Sequence, residues 1–167
     1  MSSTAPSPLD GTEITYDVSG LDGGEPVVLV HGITESSASW APIVERLAPT
    51  NRVITLDLRG HGETTHSPTR DYSLEALVDD LHELVVRLSL NGRDWGGAWT
   101  RPWVIAGRGT GAAVATAYAV RHKGRCAGLV LWDYDPEWPK DRLNFYPFQA
   151  AHFQNQGALA AFFNDKL

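Results

Sequence analysis

The sequence predicts an α/β fold: a three-layer sandwich in which a mostly parallel sheet is covered by helices on both faces. Three observations predict it. Three short runs, residues 26–30, 103–106 and 127–132, are apolar throughout instead of alternating, and a fourth, 52–58, has the β-branched and apolar stretch Val-Ile-Thr-Leu at its centre, as suits strands buried on both faces. Segments of helical period lie among them, so strand and helix alternate along the chain. Turns rich in glycine and charge follow these runs, beginning at His31, Asp57, Gly107 and Asp133. Right-handed crossovers then bring the strand ends, and any binding crevice, to one edge of the sheet.

Each element has its own signal. Residues 1–12 begin Ser/Pro-rich, without a basic region or an apolar core, and read as a disordered lead-in rather than a signal peptide. Residues 13–18 alternate in character and suit a first, edge-type strand. A glycine- and acid-rich turn over 19–25 leads into the buried run 26–30. The helix over 39–47 carries Trp40, Ile43, Val44 and Leu47 on one face, with Pro42 tolerated in the first turn and Pro49 beyond the end. The helix over 73–88 has Ser73 as N-cap and Glu75 and Asp79 near its positive end. Leu74, Leu77, Val78, Leu81, Leu84, Val85 and Leu88 form its apolar stripe. Residues 91–101 read as a loop, 103–106 as a strand, 110–122 as a helix and 127–132 as a strand. All five phenylalanines fall between Phe145 and Phe163. The segment 136–167 therefore reads as one or two aromatic-rich packing helices.

Composition narrows the function classes. At 167 residues the chain is one domain-sized unit with a core of ordinary size. Fourteen Lys and Arg against 20 Asp and Glu give a net charge of −6 with no basic cluster, which argues against a nucleic-acid partner. The single cysteine, Cys126, excludes an internal disulfide and suits a reducing compartment. No apolar run reaches membrane-spanning length, so the expectation is a cytoplasmic protein without a membrane partner. No cofactor is expected. A metal site built from His31, Asp57, His61 and His66 fits no common ligand spacing.

The pieces that carry chemistry are His31-Gly32-Ile33, Asp57-Leu58-Arg59-Gly60-His61-Gly62, Gly107-Arg108-Gly109-Thr110-Gly111 and Asp133-Tyr134-Asp135. In this order, on this framework, residues 13–135 resemble the core of the α/β-hydrolase superfamily, of the type with esterases, epoxide hydrolases and haloalkane dehalogenases. The resemblance implies a partial hydrolase fold lacking the last strands, with 136–167 starting a cap or C-terminal cover. It also implies an oxyanion hole from the main-chain N–H groups of Ile33 and Thr110, a loop glycine at Gly32, and a turn kept uncrowded by Gly107 and Gly111. His31 and His61 read as hydrogen bonders that shape their loops.

The departures decide the expected activity. Where the family has Ser, Asp or Cys, this chain has Gly109, which supplies no atom for a covalent intermediate. The family's general-base His and its usual acid fall later than Leu167. Asp133 stands where some dehalogenase-like members place the acid, and His152 lies in the aromatic segment and does not read as a base. The expectation is a truncated, catalytically compromised relative of hydrolases of small apolar esters, epoxides or halides. The alternatives are a ligand-binding or regulatory pseudoenzyme that kept the crevice, and an inactivated or non-covalent variant of an active hydrolase. The run 127–132, as an edge strand, also offers a surface for self-association.

Overall fold

The computed structural model describes residues 2–88, 90 and 103–133. In chain order the elements are β1 (Ser3–Pro6), β2 (Glu13–Gly20), β3 (Glu25–Val30), a 3-10 turn (Ser37–Trp40) running into α1 (Ala41–Leu47), β4 (Asn51–Leu56), α2 (Leu74–Arg87), β5 (Val104–Arg108), α3 (Thr110–Arg121) and β6 (Gly128–Trp132). The strands form one sheet in the order β1-β2-β4-β3-β5-β6. β4, β3, β5 and β6 run parallel, and β1 and β2 are antiparallel additions on the β4 side.

The apolar runs are buried on both faces because successive side chains point to opposite sides of a pleated strand. Val28, Val30, Ile54, Leu56, Ile105 and Leu129 join the core beneath α2 and α3. Val27, Leu29, Val53, Ala106 and Val130 join Trp40 and Leu47 beneath α1 on the other face. The three layers follow from this division. α2 presents Leu74, Leu77, Val78, Leu81, Leu84 and Val85 to the core, and the Ser73 hydroxyl accepts from the Ala76 N–H. Such a cap is worth about 1 kcal/mol.

The N-terminal expectation is corrected in two respects. Residues 3–6 of the expected disordered lead-in form β1, which pairs antiparallel with β2 from Ser3↔Tyr16 to Pro6↔Glu13. β2 is consequently neither the first strand nor an edge strand. The signal is weak in the sequence because only Ala5 of β1 is buried, so most of its stabilisation comes from backbone pairing. Pro6, at the end of an edge strand, is tolerated because a position facing away from the ladder needs no N–H. The turn after β1 is tied down through Asp10, whose carboxylate accepts from the Ser67, Thr69 and Thr12 hydroxyls and the Thr12 N–H. Burial raises the pKa of Asp10, but these hydrogen bonds outweigh it and hold the group well below the usual carboxylate range. The loop expected over 91–101, the helices expected over 136–167 and His152 lie outside the described residues.

Candidate functional site

The reversal from β5 into α3 takes place within one residue. β5 ends at Arg108, α3 begins at Thr110, and Gly109 between them has φ +52° and ψ −116°. That region is costly for any residue with a Cβ, and glycine enters it freely. The Gly109 N–H donates to the Trp132 carbonyl at 2.9 Å, and the Gly109 carbonyl accepts from Ala112 and Ala113. A Cβ built at 109 would meet only Gly32 Cα, at 3.9 Å, so the turn faces the loop after β3 across open space. Its glycine neighbours differ. A Cβ at 111 would lie 2.5 Å from the His31 carbonyl and closer still to that of Val30, and one at 107 would overlap the Gly111 carbonyl. Here α3 packs backbone-on-backbone against β3 and β5.

The loop after β3 is held by hydrogen bonds from several sides. His31 is fully buried; its Nδ1 donates to the Gly32 carbonyl at 2.7 Å and its Nε2 accepts from the Leu58 N–H at 3.0 Å. The ring is therefore the neutral Nδ1–H tautomer, and burial accordingly pushes its pKa down. Beside it, His61 faces the Ile33 carbonyl through Nε2 at 2.6 Å and the Arg59 carbonyl through Nδ1 at 3.1 Å. Both histidines hold loops, as the sequence suggested.

Glu35, which the sequence reading did not single out, joins two strand ends. Its Oε2 accepts from the Gly32 N–H at 3.0 Å and its Oε1 pairs with Arg108 Nη1 at 2.6 Å. Arg108 Nε donates in turn to Asp133 Oδ2 at 3.1 Å, with the guanidinium 5.7 Å from the Trp132 ring centre. Asp133 thus has Arg108 as partner, and among the described residues no histidine hydrogen-bonds to it. A carboxylate three residues after the His-Gly pair was the available signal, but which cation it meets depends on strand order.

The loop after β4 is anchored from below. Asp57 accepts from the Ser37 N–H at 2.6 Å and the Glu63 N–H at 2.9 Å, and a Cβ at Gly62 would collide with its carboxylate. Arg59 is completely buried with all five N–H groups directed at oxygens: both carboxylate oxygens of Asp80, Asp10 Oδ2, the Asp71 carbonyl and Ser7 Oγ. His66 turns away to the Tyr72 hydroxyl at 3.0 Å. Among the described residues no group of three or more His, Cys, Asp or Glu is placed to hold a metal ion, and no helix is long and apolar enough to cross a membrane.

The structure thus brings Gly32, Ile33, Gly109, Thr110 and Asp133 to one edge of the sheet. The amides of Ile33 and Thr110 have no hydrogen-bond partner among the described residues, and Thr110 opens α3, where the helix dipole favours negative charge. Ile33 and Trp132, both about half exposed, add apolar surface around Arg108. Chemically, such an edge can hydrogen-bond an oxygen carrying partial negative charge beside an apolar group.

Comparison with known proteins agrees with this architecture. The family model for the alpha/beta hydrolase fold matches residues 25–165. Epoxide hydrolase 3 of Xenopus tropicalis is 31% identical over 130 residues, covering 72% of this chain and 30% of that protein. Monoacylglycerol lipase ABHD6 of Homo sapiens is 27% identical over 120 residues, covering 71% of this chain and 33% of that protein. The chain therefore spans about a third of the length of these curated relatives. Among solved structures, a thermophilic esterase from Thermogutta terrifontis superposes with a TM-score of 0.68 at 32% identity, covering 84% of this chain and 48% of that one.

Proposed function

The chain belongs to the α/β-hydrolase fold family, and from that premise we propose that its strand-end crevice binds small apolar esters, epoxides or halides without the covalent chemistry of a hydrolase. The observation that carries this reading is the conformation of Gly109. It has the sharp strand-to-helix geometry in which the family presents a nucleophile, and it has no side chain. Attack on a carbonyl or alkyl carbon needs an oxygen or sulfur atom there, and backbone supplies none.

The Ile33 and Thr110 amides, as main-chain groups, survive any change of side chain and form the oxyanion half of the site. Asp133, the acid candidate, spends its carboxylate on Arg108. A site reduced to binding and oxyanion donors can retain roughly 10³–10⁴-fold acceleration over water, far below normal turnover. The epoxide hydrolase, lipase and esterase names of the relatives supply the ligand classes, and the half-exposed Ile33 and Trp132 supply an apolar flank.

One observation favours a second reading, an inactivated variant of an active hydrolase. The space beyond Gly109, empty to 3.9 Å, accommodates a nucleophile's Cβ. The two readings part on Gly109→Ser assayed with added imidazole, which stands in for the general base.

The test is to incubate the chain with 4-nitrophenyl butyrate and with a fluorophosphonate, following nitrophenolate release and intact mass. The expected result is neither turnover above a trace nor a mass increment. A covalent adduct or robust turnover by the unaltered chain overturns the proposal. Recovery of an adduct in Gly109→Ser selects the second reading.

A further inference from the structure

We propose that the ion-paired chain Glu35–Arg108–Asp133 makes the strand-end crevice select neutral carbonyl ligands, such as esters and ketones, over the corresponding carboxylates. The ligand rests on the binding function proposed above; the charge balance rests on the ion pairs alone. Arg108 is the residue before the bare turn at Gly109, and its guanidinium spans the end of β5 between the two neighbouring strand ends. Nη1 meets Glu35 Oε1 at 2.6 Å on one side, and Nε meets Asp133 Oδ2 at 3.1 Å on the other. Two carboxylates on one guanidinium leave one negative charge in excess.

That excess stands close to the amides that hold a ligand oxygen. Glu35 Oε2 accepts from the Gly32 N–H at 3.0 Å. Consecutive backbone nitrogens are at most about 3.7 Å apart, so this carboxylate lies within roughly 7 Å of the Ile33 nitrogen. On the other side Gly109, which precedes Thr110, donates its N–H to the carbonyl of Trp132, the residue before Asp133. Asp57 adds a negative charge behind the loop, accepting from the Ser37 and Glu63 N–H groups and lying 4.0 Å from Nε2 of the neutral His31 ring. The buried Arg59 leaves no positive excess, since Asp80 and Asp10 both meet it. The positive end of α3 amounts to about half a unit charge, less than the excess on the ion-paired chain.

A neutral carbonyl and a carboxylate respond differently to this field. The carbonyl oxygen takes short-range hydrogen bonds from the Ile33 and Thr110 amides and brings no net charge to be repelled. A carboxylate takes the same hydrogen bonds and carries a whole negative charge toward the excess. One unit charge at roughly 7 Å, with an effective dielectric between 80 and 20, weakens binding by about 3- to 50-fold. Arg108 does not reverse the sign, because both of its counter-charges come from within the protein.

The test pairs acetophenone with benzoate, which share a ring and differ in this charge. Each is titrated against the whole chain at pH 8, where ordinary imidazoles are neutral, following the Ile33 and Thr110 amide signals by NMR. Acetophenone is expected to bind roughly tenfold more tightly, with the ratio smaller in Asp133→Asn and larger in Arg108→Gln. Benzoate binding as tight as acetophenone overturns the proposal, and so does a ratio that neither substitution moves. Residue 133 is exposed with φ +51°, a conformation that asparagine accepts as readily as aspartate, so Asp133→Asn keeps the fold. Hydrogen exchange of the Ile33 amide gives a second reading without a ligand, because its catalyst at this pH, hydroxide, is itself an anion. Exchange is expected to quicken several-fold in Asp133→Asn, and in the unaltered chain when salt screens the charges, and to slow in Arg108→Gln. A merely structural chain loosens the loop in both variants and quickens exchange in both; that result overturns the proposal, as does exchange indifferent to salt. Absence of acetophenone binding counts against the proposed binding function and leaves the signs of the exchange changes to decide the charge balance.

Discussion

Alanine substitution at two glycines two residues apart separates backbone conformation from backbone contact in the turn that defines the site. At Gly109 a Cβ meets nothing nearer than 3.9 Å, so Gly109→Ala carries only the cost of holding an L-residue at φ +52° and ψ −116°. Such strain costs about 1–3 kcal/mol. Restricting the unfolded chain returns about 0.4–1 kcal/mol of this, leaving a net loss of about 1–2 kcal/mol. At Gly111 the same methyl lies 2.5 Å from the His31 carbonyl and nearer that of Val30, where real Cβ contacts essentially never fall below 3.0 Å. The obstacle is main chain on a central strand and has no rotamer to change. α3 has to lift away from β3, loosening Ala112, Val114, Ala115 and Tyr118 in the core. We expect Gly111→Ala to cost more than about 4 kcal/mol, in the range reserved for severe core disruption. Urea unfolding followed by circular dichroism reads both values, with soluble yield as a second measure for Gly111→Ala. Losses equal within 1 kcal/mol would mean that α3 does not pack backbone-on-backbone here.

Two further predictions concern the support of the site. Asp80→Asn leaves the fully buried Arg59 guanidinium without its main counter-charge and is expected to cost about 3–5 kcal/mol, whereas Arg59→Met combined with Asp80→Leu recovers much of that loss. A double-mutant cycle in urea measures it, and a loss below about 1 kcal/mol for Asp80→Asn contradicts the buried pairing. The second is a pH dependence. His31, His82 and His122 all have pKa values lowered from the ordinary 6.5, in each case chiefly by burial, and His82 and His122 stack with ring centres 4.0 Å apart. Between the lowered values and 6.5 the unfolded chain binds more protons than the folded one. Stability from these rings is therefore full above about pH 6.5 and is lost as pH falls through the window below it. Thermal unfolding midpoints should decline over that window and decline less in His122→Gln; a profile that ignores the substitution excludes this origin.

How much was legible follows from the range of each interaction. The stripe Leu74–Leu77–Leu81–Leu84 and the runs around Val28, Ile54 and Ile105 announce helix and strand locally, because burial imposes a period on adjacent residues. β1 was missed because its hold on β2 is backbone pairing, which leaves little trace in side-chain choice. Asp133 was located at the correct sheet edge, yet its partner came from residue 108, and Glu35 went unremarked. Arg59 was visible within a loop motif, but its contacts reach Ser7, Asp10 and Asp80, up to 52 positions away. Such separations carry no periodic signature.

By itself, then, the sequence determined the alternation of strand and helix, the glycine-marked strand ends, and the lack of any reactive atom at position 109, since each is a property of one residue or a short window. Tertiary structure alone decided that Glu35, Arg108 and Asp133 form one ion-paired chain, that Arg59 is satisfied at every N–H, and that the His31 and His61 rings tie the loops after β3 and β4 together. Those outcomes depend on which strand ends lie side by side. The order β4-β3-β5-β6 sets that, by the joint burial of two sheet faces and not by any single segment.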